Sequence, residues 1–208
     1  MSTQAVIDVS RLPHHQFDTY DPVWWGNNLL LAIETSMFGI LIATYFYLRQ
    51  NFAEWPPPVA QLTATLKPLP QLGYGTAITI LLLLSCFPMV LTDISARRGN
   101  RAVSQIGLVI AVLCGAAAVV LRGFEFSAVY FRWDSNAYGS VVWFMLGMHM
   151  LHLCILTTEA VLLAIWIFTR EYDMKHRVDI VTLAIYWYWV TAIWVVLYPI
   201  IYFTPRLG

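Results

Sequence analysis

Five apolar runs punctuate this chain, each long enough to cross a bilayer, and they leave few folds open. A spanning helix needs roughly 20 apolar residues. The runs lie near residues 28–48, 72–93, 102–124, 140–168 and 180–203. In hydrocarbon every backbone polar group must be paired internally, so runs of this length fold as helices. The expected fold is all-α, a single polytopic membrane domain (residues 1–208) of five transmembrane helices. The fourth run has about 29 residues, or roughly 43 Å of helix, and must tilt or project beyond the bilayer. Composition agrees: 59% of residues are hydrophobic and 12% charged, where soluble domains are nearer half and a quarter.

Lysine plus arginine equals aspartate plus glutamate at 12 each. That balance offers no basic excess for nucleic acid and no acidic excess for a cationic ligand. Cys86, Cys114 and Cys154 lie in apolar runs without CxxC spacing, and read as small hydrophobes rather than a disulfide framework or zinc site. The first 22 residues lack the continuous apolar run of a secretory signal.

Loop charge gives an orientation. Arg11, Arg97, Arg98, Arg101, Arg170, Lys175 and Arg177 fall on one side, against Arg49, Lys67, Arg122, Arg132 and Arg206 on the other. The positive-inside rule then puts the N-terminus in the cytoplasm and the C-terminus outside. Pro56, Pro57, Pro58, Pro68 and Pro70 make the first loop an extended, semi-rigid connector. Trp24, Trp25, Trp55, Trp133 and Tyr138 flank the spans as interfacial anchors would. Gly107, Ala111 and Gly115 form a close-packing face, within the chain or against a partner. No internal repeat supports an inverted-repeat transporter, and Pro88 and Pro199 lie near span ends.

Ionisable groups at membrane depth are functional candidates by default. His149 and His152 sit one turn apart in an uncharged stretch, and Glu159 follows His152 by seven residues on nearly the same face. Glu34 lies in the first span and Glu125 ends the third. The pair could share a ligand field. Two adjacent histidines of one helix cannot bind opposite faces of a haem, however, and His14, His15 and His176 are outside the spans. Neither Glu-x-x-His nor His-Glu-x-x-His occurs. Cross-helix hydrogen bonding or a lipid headgroup suits the histidines better. Apolar surroundings disfavour an ionised carboxylate, so Glu34 is either a proton carrier or a neutral hydrogen-bond donor.

Several of these segments resemble subunit III of the haem–copper cytochrome oxidases. Ala32-Ile-Glu34-Thr-Ser-Met-Phe38-Gly39 is similar to the family's Ala-Ser-Glu-x-x-Phe-Phe-Gly. Trp55-Pro-Pro-Pro58 and the Arg97-Arg-Gly99 turn resemble short bacterial members, and Gly123-Phe-Glu125-Phe126 resembles Ala-Tyr-Glu-Tyr. Tyr138-Gly-Ser140 followed by His149-Met-Leu-His152 matches Tyr-Gly-Ser then His-Gly-Leu-His, and Tyr186-Trp187 and Trp194-Val-Val-Leu-Tyr198-Pro199 match the closing segment. Tyr188 and Thr191 stand where the family usually has His and Asp, and Val181 where a glutamate is common. The pattern is that of a five-helix bacterial member; mitochondrial ones carry seven helices.

The resemblance implies an accessory subunit of a terminal oxidase in a bacterial cytoplasmic membrane. Such a subunit has no redox centre, and haem and copper reside in partner subunits. Oxidase subunits I and II and membrane phospholipid are the implied partners, with cytochrome c an indirect one and a respiratory supercomplex the wider assembly. The subunit stabilises subunit I and helps sustain its proton uptake. Carried over by position, Glu34, Glu125, His149 and His152 line a polar, lipid-filled cleft, with Glu159 and Tyr188 as further candidates. The alternatives are the homologous small subunit of a quinol oxidase or nitric oxide reductase, and a free-standing membrane metalloenzyme.

Overall fold

A computed structural model describes residues 21–57, 69–169 and 177–207. Five long helices make up the architecture: α1 (Pro22–Gln50), α2 (Leu72–Arg97), α3 (Arg101–Ala128), α4 (Ala137–Thr169) and α5 (Arg177–Tyr202), closed by a 3₁₀ turn at Thr204–Arg206. All five are long and apolar enough to span a membrane. The first four cover their expected runs and α5 stops one residue short, at Tyr202, with ends set by local chemistry. The α1 helix starts six residues early because the Asp21 side chain accepts from the Val23 amide and Pro22 occupies the first turn, where its missing N–H costs nothing. The α3 helix starts where the Asn100 side chain accepts from the Val103 amide. Between α2 and α3, Gly99 takes φ +70°, a left-handed turn that glycine adopts without strain. The α4 helix reaches 33 residues, about 50 Å at ~1.5 Å per residue.

The helices pack around α5. It touches α2, α4 and α1, while α3 bridges α2 and α4. Its apolar window is 61% buried, against 17% for α1. Three α5 tryptophans fasten it to hydroxyls on its neighbours. Trp187 Nε1 donates to Ser85 Oγ (2.8 Å) and Trp194 Nε1 to Thr79 Oγ1 (2.9 Å), both on α2. Trp189 Nε1 donates to Thr35 Oγ1 on α1 (2.8 Å). Cross-helix hydrogen bonds of this kind fix rotation and depth where apolar packing alone leaves helices free to slide.

The small residues of α3 face inward. A side chain at Gly107 would collide with Thr92, and one at Gly115 would come within 2.7 Å of Thr157 Oγ1. These glycines therefore set the close approach of α3 to α2 and α4. Pro88 lies inside α2 rather than near its end, opposite Gly107.

Two of the expected interfacial aromatics belong to the interior. Trp25 and Trp133 are exposed, but Trp55 is 7% exposed and Tyr138 fully buried. The start of the first loop, residues 51–57, folds back over the bundle end, so Trp55 stacks edge-on against Tyr45 and Tyr138. Its Nε1 donates to the Tyr45 hydroxyl (3.0 Å). Thr204 gives its own hydroxyl proton to Ile200 O, so Tyr45 donates to Thr204 Oγ1 (2.6 Å). Asn136 Nδ2 ties the same end together through Pro57 O (3.0 Å). Of the loop prolines, Pro58 and Pro68 lie outside the described residues, as do the first 20 residues and Arg170, Lys175 and His176.

Candidate functional site

The helix α4 carries both histidines, and its neighbours divide them. His149 points into the junction of α3, α4 and α5. Arg122 of α3 donates from Nη2 to His149 Nδ1 (3.1 Å), and His149 Nε2–H donates to Val190 O of α5 (3.2 Å). Both ring nitrogens are thus used, and their roles fix the neutral Nε2–H tautomer. Arg122 Nη1 meets Glu125 Oε2 one turn on, at 2.5 Å. The guanidinium also lies over the Trp194 ring, 3.8 Å from its centroid, while the His149 ring is 4.9 Å from that indole. Side-chain exposure is 0% for Arg122 and 3% for Glu125.

This cluster is a buried charge pair capped by an aromatic face and a neutral imidazole. A charge inside a membrane protein persists when paired and hydrogen-bonded; here both Nη atoms of Arg122 and Oε2 of Glu125 are bonded, while Arg122 Nε and Glu125 Oε1 are buried without a hydrogen-bond partner among the described residues. Arg122 was expected among the loop cations of the outer side. It is instead a core residue, because α3 continues six residues past it to Ala128. Glu125 likewise does not end the helix. Without Arg122, the expected count for that side falls to Arg49, Lys67, Arg132 and Arg206, of which Lys67 lies outside the described residues. The signal was present in the sequence: arginine and glutamate three residues apart share a helix face.

His152 points the other way, toward α1. Its Nδ1–H donates to Met148 O of its own helix (2.7 Å), and Nε2 faces Glu34 Oε2 at 3.3 Å. With Nδ1 carrying a proton, the contact needs one more proton on either Nε2 or the carboxyl. Phe38, Trp189 and Tyr186 surround the imidazole. Glu34 retains 28% side-chain exposure at the edge of the bundle, whereas the His152 side chain has 5%.

The four residues expected to line one cleft therefore form two separate clusters, Arg122–Glu125–His149 and Glu34–His152. Glu159 is half-buried on α4 and has Tyr186 and Asp179 as electrostatic neighbours. Tyr188 joins neither cluster; its neighbours are Asp93, Cys86 and Arg97, toward α2. Thr191 is buried, donating to Trp187 O and facing the Cys86 thiol at 3.7 Å. Tyr188 and Thr191 thus put hydroxyls at the two α5 positions where the resemblance leads one to expect a histidine and an aspartate. Among the described residues no three His, Cys, Asp or Glu side chains gather as a metal site requires.

Comparison with known proteins reaches the whole bundle. The sequence profile of the family described as "Cytochrome c oxidase subunit III" matches residues 4–205. Cytochrome c oxidase subunit 3 of Thermostichus vulcanus is 25% identical over 183 residues, covering 87% of each chain. The probable cytochrome c oxidase subunit 3 of Mycobacterium bovis is 26% identical over 197 residues, covering 91% of each. The rabbit subunit 3 is 28% identical over 148 residues, which are 71% of this chain and 54% of the longer rabbit protein. With five membrane-length helices in place and the motif residues on them, the chain belongs to the cytochrome c oxidase subunit III family.

Proposed function

We propose that this chain is the accessory subunit III of a haem–copper terminal oxidase in a bacterial cytoplasmic membrane, with its N-terminus in the cytoplasm. It packs beside subunit I, which with subunit II holds the haems and copper and reduces oxygen with electrons from cytochrome c. Its own work is mechanical and electrostatic: it stabilises subunit I, helps sustain proton uptake there, and binds membrane phospholipid at its bilayer-facing surface.

The observation that carries this reading is the family match across residues 4–205. The polar interior supports it. His149 spends both nitrogens on Arg122 and Val190 O, and His152 spends one on Met148 O and the other on Glu34. Histidines so engaged serve helix–helix contact rather than electron transfer. Glu34 and His152 form a membrane-depth contact that opens toward the bundle surface, and they are the residues through which a proton-related role would act.

The test is purification of the intact complex through an affinity tag on this chain. Haem and copper should co-purify with other membrane subunits, and the preparation should reduce oxygen with reduced cytochrome c as donor. A preparation in which this chain is monodisperse but carries no haem-containing partner would overturn the proposal. Turnover with a quinol and not with cytochrome c would move it to the quinol-oxidase branch.

A further inference from the structure

We propose that the seam between α1 and α4 is a docking groove for a transmembrane helix of a partner subunit, one that brings a hydrogen-bond donor to Glu34 in the middle of the membrane. The inference rests on the reading of this chain as part of a larger membrane complex.

Depth is the first consideration. Glu34 is the thirteenth residue of α1, about 18 Å from the start of a helix about 43 Å long. It therefore sits within ~4 Å of the helix midpoint. Its Oε2 is held by His152, yet 28% of the side chain is exposed. Groups of this kind almost always face protein or a water-filled cavity, because a charged carboxylate at the bilayer centre costs roughly 2.5–3.5 kcal/mol or more. The contact to His152 occupies one oxygen, leaving the other available to a donor from outside.

Shape is the second. Leu41 and Leu48 follow Glu34 at seven-residue steps, so the three share one row on α1. Leu41 and Leu48 form one wall of a groove of about 580 Å³, and Val141 and Phe144 of α4 line it too. Nothing lies within 4 Å of where a Cβ on Gly39 would sit, so the surface beside the groove is low. The α1 window is 17% buried, the least among the five spans. Glu34 does not line the groove itself but lies about two turns from Leu41 on the same α1 row; an apolar trough in line with a partly exposed carboxyl complements a helix with an apolar face and one donor side chain further along.

An acyl chain matches the trough but not the carboxyl. It has no donor, and its headgroup lies about 15 Å away at the edge of a hydrocarbon core roughly 30 Å thick. A polypeptide supplies both features from one surface, as polar side chains do between membrane helices.

A photoreactive benzophenone amino acid at position 44, which lines the groove, tests this in the intact complex; position 113 on the exposed side of α3 serves as control. The expected result is a covalent adduct to one membrane polypeptide from position 44 and only lipid adducts from position 113. At equal amounts of monodisperse complex, Glu34→Ala should lower the polypeptide adduct at least fivefold, while Glu34→Gln, which keeps an accepting oxygen, should leave it within about twofold. Lipid adducts alone at position 44, or a yield indifferent to Glu34→Ala, would overturn the proposal. The haem content of the same preparation separates the two readings. Haem with lipid-only adducts sinks the docking groove alone. A polypeptide adduct without haem sinks the oxidase reading and leaves the groove standing.

Discussion

The two histidines of α4 are three residues apart and live in different worlds. His149 is sealed, with Arg122, Glu125 and Trp194 around it and no exposed surface. His152 is nearly as buried, but its partner Glu34 opens to the outside of the bundle. The difference teaches that burial of an ionisable residue does not by itself identify its job. The sealed cluster draws its partners from three helices of this chain and is closed to the outside, although Arg122 Nε and Glu125 Oε1 have no hydrogen-bond partner among the described residues, so its natural role is to hold those helices together. The open pair is incomplete at one oxygen, so it is where a partner or a proton can still act.

The sharpest way to break the comparison is to remove one charge from the sealed cluster. Glu125→Leu leaves Arg122 as an unpaired buried cation and should cost about 3–5 kcal/mol, read as a large drop in the thermal midpoint of the detergent-solubilised complex. Removing both charges, with Arg122→Leu and Glu125→Leu together, should recover more than half of that loss. A double variant as unstable as the single one would mean that the pair is not the organising feature. Next in size is His149→Ala, which strips partners from Arg122 Nη2 and Val190 O; about 1–3 kcal/mol is expected. Trp194→Phe keeps an aromatic face but loses the bond to Thr79 and part of the cation attraction, for about 1 kcal/mol. The smallest effect belongs to the open pair. Glu34→Gln should change the thermal midpoint by the equivalent of less than about 1 kcal/mol, since an amide can still meet His152. If Glu34→Gln destabilised as much as Glu125→Leu, the distinction between sealed and open would collapse.

Much of the architecture was legible because the bilayer imposes it. A run of about 20 apolar residues has few ways to satisfy its backbone in lipid, and all five expected spans are helices. The ends were less legible, because they depend on caps such as Asp21 and Asn100 that reach past the apolar run. Glu34 and the histidine pair stood out as polar residues in apolar stretches. Arg122 did not, because it sits near the edge of its run, where an arginine normally reaches into the interface. Only the continuation of α3 to Ala128 turns it inward. Trp55 and Tyr138 misled for a related reason. An aromatic near a span end has the same sequence signature whether it anchors at the interface or lies beneath a folded-back loop. The parting of His149 from His152 is a matter of which helix stands on each side of α4, and tertiary arrangement of that kind leaves no trace in local spacing.

The central claim is that this family member stands beside the oxidase chemistry and holds none of its redox centres. The direct measurement is to count haem, iron and copper in the purified complex, then release this chain with mild detergent and count again in both fractions. The account predicts that all of the haem and metal stays with the remaining subunits. Haem or metal following this chain in a one-to-one ratio would contradict it.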